Sequence, residues 1–255
     1  MTEPAQARSV TPEWPAPLPD SEIERALVIM AHPDDADYGA AGTIAGWAEA
    51  GIEVSLVLCT RGEQGGFDDT PRVEMPAIRE REQRAASAEL GVTDVRFLDG
   101  WHDGWLEPTY DLQRALVALI REIRPQRVLT QSPKRLYQRL QASHPDHLAA
   151  GEATVRAVYP AAENPFAWPE LIEQGLPPWH VAELWLMAHD ESPHVVDITD
   201  QFERKVRALE AHVSQTGHLG EGLRQRLTDW NAGNAALGGL PEGRLAEVFA
   251  VTRIN

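Results

Sequence analysis

Cysteine is nearly absent: Cys59 is the only one in 255 residues. That rules out a disulfide framework within the chain and fits a reducing compartment. Basic charge is scarce too, with 23 lysines and arginines against 39 aspartates and glutamates, for a formal charge of -16. Nothing basic clusters enough to reverse that field, so phosphate backbones and anionic lipid surfaces are repelled, and neither nucleic acid nor a membrane is an expected partner. No run approaches the roughly 18 apolar residues of a membrane span. The opening MTEPAQARSVTPEWPAPLPDS lacks the charged-then-apolar order of a secretory leader. A cytoplasmic location is the expectation. Also missing are G-x-S-x-G, a P-loop and G-x-G-x-x-G, which sets aside elbow-type serine hydrolases, NTPases and the usual NAD enzymes.

An apolar share of 43 % over this length suffices for one substantial α/β domain. Residues 1–22 are proline-rich and polar and read as an extended or disordered arm, leaving 23–255 as a single domain. After the arm, ALVIMA, a helix from about Tyr38 to Ala50 and EVSLVLCT form a β-α-β unit, with Cys59 a buried strand thiol. A polar helix from Pro76 to Leu90, the strand VRFLD, the helix DLQRALVALIREI and the strand RVLTQS continue the alternation. A helix from about Pro145 to Val158 follows, then the Pro/Trp-rich YPAAENPFAWPELIEQGLPPW, the strands VAELWLMAH and HVVDIT, and a helix from Gln201 to Val213. The Pro/Trp-rich passage either wraps the same core or caps a site as a lid. The expected fold class is α/β, a Rossmann-like, mostly parallel sheet with helices on both faces, binding ligands outside the carboxyl ends of its strands.

Two segments at such ends echo each other. The first supplies His32, Asp34 and Asp35, with Asp37 close behind, and the second supplies His144, Asp146 and His147. In each, proline follows histidine and aspartate follows proline, which makes a stiff turn opening a helix. Three acids within four positions repel one another unless a helix N-terminus, an arginine or a metal ion sits among them. Two imidazoles and a carboxylate complete a three-ligand divalent site with an open position, the arrangement of catalytic zinc. One aspartate then ligates while its neighbour takes a proton from metal-activated water; local sequence leaves open which is which. His147, near a helix N-terminus, is expected to have a lowered pKa and to stay neutral. Taken singly, an acid pair at a helix start is usually a cap and H-x-x-H usually plain surface or core histidine. Together, each after a strand, they point to a metal.

These motifs resemble the LmbE-like superfamily of zinc-dependent de-N-acetylases, whose signatures are AHPDD after an apolar strand and HPDH about a hundred residues later. TRGEQGG, IREREQRAASAELGV, WHDG, VVDIT and ALEAHVSQ extend the match over roughly residues 24 to 216. The resemblance implies an LmbE-like fold with zinc, or alternatively ferrous iron, held by His32, Asp35 and His147. It further implies Asp34 as general base, and His144 as the group that stabilises the tetrahedral intermediate or protonates the leaving amine. Arg79 and Asp103 would hold sugar hydroxyls, and Asp146 is expected to orient His144. The implied reaction is hydrolysis of the acetamide of a small N-acyl amino-sugar conjugate of N-acetylglucosamine type. Oligomeric state stays open, with a homo-oligomer compatible. Trp101 and Trp105, flanking HDG, offer a flat face to a sugar or simply belong to the core. Some relatives place a tyrosine just ahead of HPDH; Ala142 and Ser143 stand here, with Tyr137 or Lys134 as candidate substitutes.

Three rival readings are weaker. A non-haem Fe(II) facial triad of H-x-D and a distant histidine leaves Asp35 unexplained and usually sits on antiparallel barrels. A metal-dependent phosphoesterase would want cationic phosphate clamps. A sugar-binding module with a relic site would not keep its ligand and base positions intact.

Overall fold

Five successive apolar side chains, Ala26 to Met30, are fully buried, which a strand achieves only when both faces of its sheet are covered. The computed structural model describes residues 14–67, 69–191 and 194–254. The elements, in order, are β1 (Arg25–Met30), α1 (Asp35–Glu49), β2 (Glu53–Leu58), α2 (Met75–Glu89), β3 (Asp94–Phe97), α3 (Tyr110–Ile123), β4 (Arg127–Gln131) and α4 (Pro145–Arg156). They continue with α5 (Pro169–Glu173), β5 (Glu183–Met187), β6 (His194–Asp197), α6 (Phe202–Ala211), α7 (Val213–Thr216), α8 (Gly222–Leu237) and β7 (Ala246–Arg253).

The seven strands lie in the order β3-β2-β1-β4-β5-β7-β6. The first five in that order pair in parallel, and β7 runs antiparallel to both β5 and β6. Val28 and Met30 pack on α1 through Ala40, Ala41 and Ile44, whereas Leu27 and Ile29 face Leu112, Leu116 and Ile120 of α3. Those three recur every four residues, one stripe of a 3.6-residue helix, and each buried leucine stabilises by about 1.5–3 kcal/mol. The mostly parallel α/β architecture expected from the alternation is therefore the one observed.

Strand order reverses between β1 and β4, and such a switch point opens a crevice at the carboxyl ends of the two strands. The motif segments follow β1 and precede α4 there. α4 approaches closely because Gly151 has no side chain: a Cβ would lie 2.3 Å from the Gln131 carbonyl oxygen.

α1 begins at Asp35, three residues earlier than expected, because the Asp35 carboxylate accepts the His32 N–H at 2.8 Å and turns the chain directly into the helix. The Pro/Trp-rich passage wraps the core on the α3 side. Arg121 donates to the carbonyls of Ala161, Ala162, Asn164 and Ala167, and Trp179 donates to Pro125. Of the arm, residues 14–22 lie on the body, with Trp14 donating to Glu191 and the Leu18 N–H to Glu183; residues 1–13 fall outside the described residues. α8 and β7 lie beyond the stretch that the sequence patterns resolve. Among the described residues no helix is long and apolar enough to cross a membrane.

Candidate metal centre

β1 ends at Met30, and the chain turns at Ala31–Asp34 into α1; β4 ends at Gln131, and a short 3-10 turn (Leu140–Ser143) leads into α4. Both turns put histidine and aspartate over the crevice. The Asp35 carboxylate joins them, with Oδ2 3.4 Å from His32 Nδ1 and Oδ1 2.9 Å from His147 Nε2. His144 completes the group: its ring centroid is 5.0 Å from that of His32 and 5.3 Å from that of His147. One ring nitrogen from each of the three histidines lies within 4.8 Å of the others. The six residues singled out in the two motifs are thus brought to one place.

The far side of His32 is held by two acids. Nε2 lies 3.0 Å from Asp103 Oδ1 and 3.1 Å from Asp146 Oδ2, which fixes the ring and leaves Nδ1 to face Asp35. A metal-ligating histidine commonly gives its second nitrogen to a carboxylate in this way. The expectation that Asp146 orients His144 is corrected here. Its fully buried carboxylate turns inward, accepting from the Gly104 and Leu106 amides and facing His32. Only its backbone N–H reaches His144, donating to Nδ1 at 3.2 Å. Asp103, expected at sugar hydroxyls, has its second oxygen on the Gln64 amide at 2.9 Å.

Arg79, also expected at the sugar, is 4 % exposed and bonded inward. It donates to the carbonyls of Gly62 (2.9 Å) and Pro33 (2.6 Å) and to Asp34 Oδ2 (3.2 Å). Gly62 makes room for it, since a Cβ there would fall 2.1 Å from the guanidinium. None of these partners is close in sequence, so the motif alone conceals them.

The electrostatics follow from crowding. Burial pushes the Asp34 carboxyl up to about 6, with Arg79 opposing and the Asp35 charge reinforcing the shift. Burial would also raise Asp35, yet the imidazoles of His147 and His32 outweigh it and hold that carboxyl well below its usual range. Burial would lower His32 and His147, and the acids reverse it: Asp103, Asp146 and Asp35 raise His32 well above 6.5, and Asp35 raises His147. This corrects the expectation of a lowered His147, because a carboxylate at 2.9 Å outweighs a helix dipole. His144 is lowered by burial and by the charges of His32 and His147.

Asp35, Asp37, Asp103 and Asp146 are buried with Asp34 beside them, and among the described residues the arginine paired with any of the five is Arg79, at 3.2 Å from Asp34. The imidazoles make up the balance with protons, and a divalent cation replaces such protons when it binds. The donor set, imidazole nitrogen plus carboxylate oxygen, suits zinc or ferrous iron. Asp35 and His147 open onto a cavity of about 440 Å³, walled also by Tyr38, Gln131, Met187 and Trp230. Trp101 is partly buried in the α3-side core, whereas Trp105 stands 76 % exposed. Tyr137 is exposed, and Lys134 is paired with Asp190.

Residues 27–158 match the profile of the PIG-L family, described as GlcNAc-PI de-N-acetylase. The chain is 34 % identical over 198 residues to a diacetylchitobiose deacetylase of Thermococcus kodakarensis, covering 77 % of this chain and 72 % of that protein. It is 32 % identical over 196 residues to a probable N-acetyl-alpha-D-glucosaminyl L-malate deacetylase 2 of Bacillus anthracis, covering 74 % and 80 %. Among solved structures, N,N'-diacetylchitobiose deacetylase from Pyrococcus horikoshii, complexed with its inhibitor MPG, superposes with a TM-score of 0.83 at 27 % identity, covering 92 % of this chain and 85 % of that one.

Proposed function

Because the chain belongs to the PIG-L family, we propose that it is a zinc-dependent hydrolase removing the N-acetyl group from a small N-acetylglucosamine-type conjugate, with residues 23–255 as one deacetylase domain. The observation that carries this reading is the meeting of the two histidine-aspartate turns at the switch point of the sheet, where carboxylates outnumber fixed cations. Relatives named as deacetylases of acetylated sugars support the substrate class.

His32, Asp35 and His147 would hold the ion. Zinc or ferrous iron there supplies a Lewis acid that polarises the acyl carbonyl and makes a water easier to deprotonate. The remaining roles belong to protein groups. Asp34, adjacent to the ligand Asp35 and held by Arg79, accepts the proton of that water. Arg79 steadies that carboxylate. Asp103 and Asp146 fix the ring of His32. The proton that Asp34 takes from water is delivered to the leaving amine, with His144, whose pKa burial lowers, as its carrier, as the acyl C–N bond breaks, giving acetate and the free amino sugar.

Acetate release from N,N'-diacetylchitobiose and other N-acetylglucosaminides tests the reading. Acetate is expected from the metal-loaded protein, is lost on chelation, returns with zinc, and falls by about 10²–10⁴-fold in Asp34→Asn. A metal-loaded protein that releases none from any of them contradicts it.

A further inference from the structure

Behind Asp34 runs a line of buried polar side chains that no step above uses. Asp34 sits at φ +86° and ψ -23°, a left-handed conformation, which costs an ordinary L residue about 1–2 kcal/mol. Two side chains of α2 hold it there. Arg79 takes the Pro33 carbonyl and the Asp34 carboxylate, and Gln83 Oε1 accepts the Asp34 N–H at 2.8 Å.

A glutamine amide has two ends of like shape and opposite chemistry, so its second neighbour decides which end meets Asp34. That neighbour is Asp37. Its Oδ2 lies 2.8 Å from Gln83 Nε2 and 3.0 Å from His212 Nε2. Asp37 Oδ2 takes the Nε2 end, so Gln83 leaves its oxygen for the Asp34 N–H. Gln83, Asp37 and His212 are all fully buried. Among the described residues Asp37 Oδ1 and His212 Nδ1 have no hydrogen-bond partner, an omission costing roughly 1–3 kcal/mol each. Apolar side chains would fill this space at less cost, so packing alone does not explain the cluster.

We propose that Gln83, oriented by Asp37 and His212, is the positioning residue that keeps Asp34 in its left-handed conformation, and hence its carboxylate in place; the catalytic consequence rests on the proposed role of Asp34 as proton acceptor. His212 follows α6, so the distal part of the chain reaches the base through this line. Asp37 is distinct from Asp35 in what it touches: it meets Gln83 and His212 rather than the imidazoles of the crevice.

The test compares metal-loaded wild type with Gln83→Met, Asp37→Leu and Asp37→Asn. Three quantities are read: kcat and KM on an N-acetylglucosaminide, metal per chain, and hydrogen exchange at the Asp34 amide. Gln83→Met and Asp37→Leu should lower kcat about 10²-fold, the scale of a small misplacement of a reacting group. KM and metal content should stay near wild type, and Asp34 exchange should quicken at least tenfold. Asp37→Asn keeps an acceptor oxygen for both donors and should behave like wild type. Unchanged Asp34 exchange in Gln83→Met, or equal losses in Asp37→Asn and Asp37→Leu, overturns the proposal. If Gln83→Met does not fold, the Asp37 pair carries the same contrast. A metal-loaded wild type without deacetylase activity contradicts the proposed function, while the exchange data still decide the positioning role.

Discussion

Two clusters of buried charge occupy opposite ends of the same sheet. At the start of β4, Arg127 is fully buried against Glu183 at 2.5 Å, bonds Asp20 at 2.7 Å and the Leu18 carbonyl at 3.0 Å, and lies over the rings of Trp47 and Trp185. Glu183 is equally closed, accepting from the Leu18 N–H and the Trp185 indole. At the other end of β1 and β4, Asp35, Asp103 and Asp146 lie against the imidazoles of His32 and His147, and Arg79 pairs with Asp34 alone. Burial is similar at both ends and charge balance is not. The cluster whose fully buried charges match one for one, Arg127 against Glu183 with Asp20 half exposed, holds the arm and strands together, whereas the one with excess carboxylate is, on the proposed function, the one that takes up a cation.

The largest effect is expected where the imbalance is deepest. His147→Ala should abolish metal retention and lower deacetylation by at least about 10³-fold, read by elemental analysis and acetate release. At the balanced end the pattern should invert. Arg127→Met strands Glu183 without its cation, and removing one partner of a buried pair costs on the order of 3–5 kcal/mol. Urea unfolding should show that loss, with the metal content of the folded fraction unchanged.

How much of this was legible in the sequence depends on how local each determinant is. The histidines and aspartates of the two motifs are fixed by turn chemistry within four residues, so their place at strand ends could be read. The pairing of Asp103 and Asp146 with His32 could not, because both residues, expected at the sugar and at His144, reach that ring from other elements. The protonation of His147 was misread for the same reason: its helix is local, and Asp35 is not. β7 escaped notice because Glu247 interrupts its apolar run, being buried against Lys205 at 2.6 Å. α8 buries Leu223, Leu227, Asn231 and Ala235 along one thin stripe, too little apolar surface to declare a helix.

A smaller effect sharpens the contrast in the metal-free protein. Burial holds Asp34 at about 6 when folded, against about 3.9 unfolded. Between those values the folded form binds a proton that the unfolded form has lost, so stability falls as pH rises from about 4 to 6, and the cost is complete above that. Asp34→Asn should therefore raise the unfolding free energy at pH 7 by about 1–3 kcal/mol and leave it unchanged below pH 4. Denaturant titrations of both proteins at the two pH values read the difference. The smallest change belongs to the surface, where Arg224 pairs with Glu203 at 2.6 Å with both side chains at least half exposed. Glu203→Gln should shift stability by less than about 1 kcal/mol, and 1 M salt should erase the shift.

On the proposed function the unbalanced cluster is a cation site. Metal per chain, measured by elemental analysis on protein purified anaerobically without chelator, tests it most directly, with His147→Ala alongside. About one zinc or iron per wild-type chain, lost in the variant, is the expected result. A wild-type protein that binds neither ion, even after zinc is added back, would contradict it.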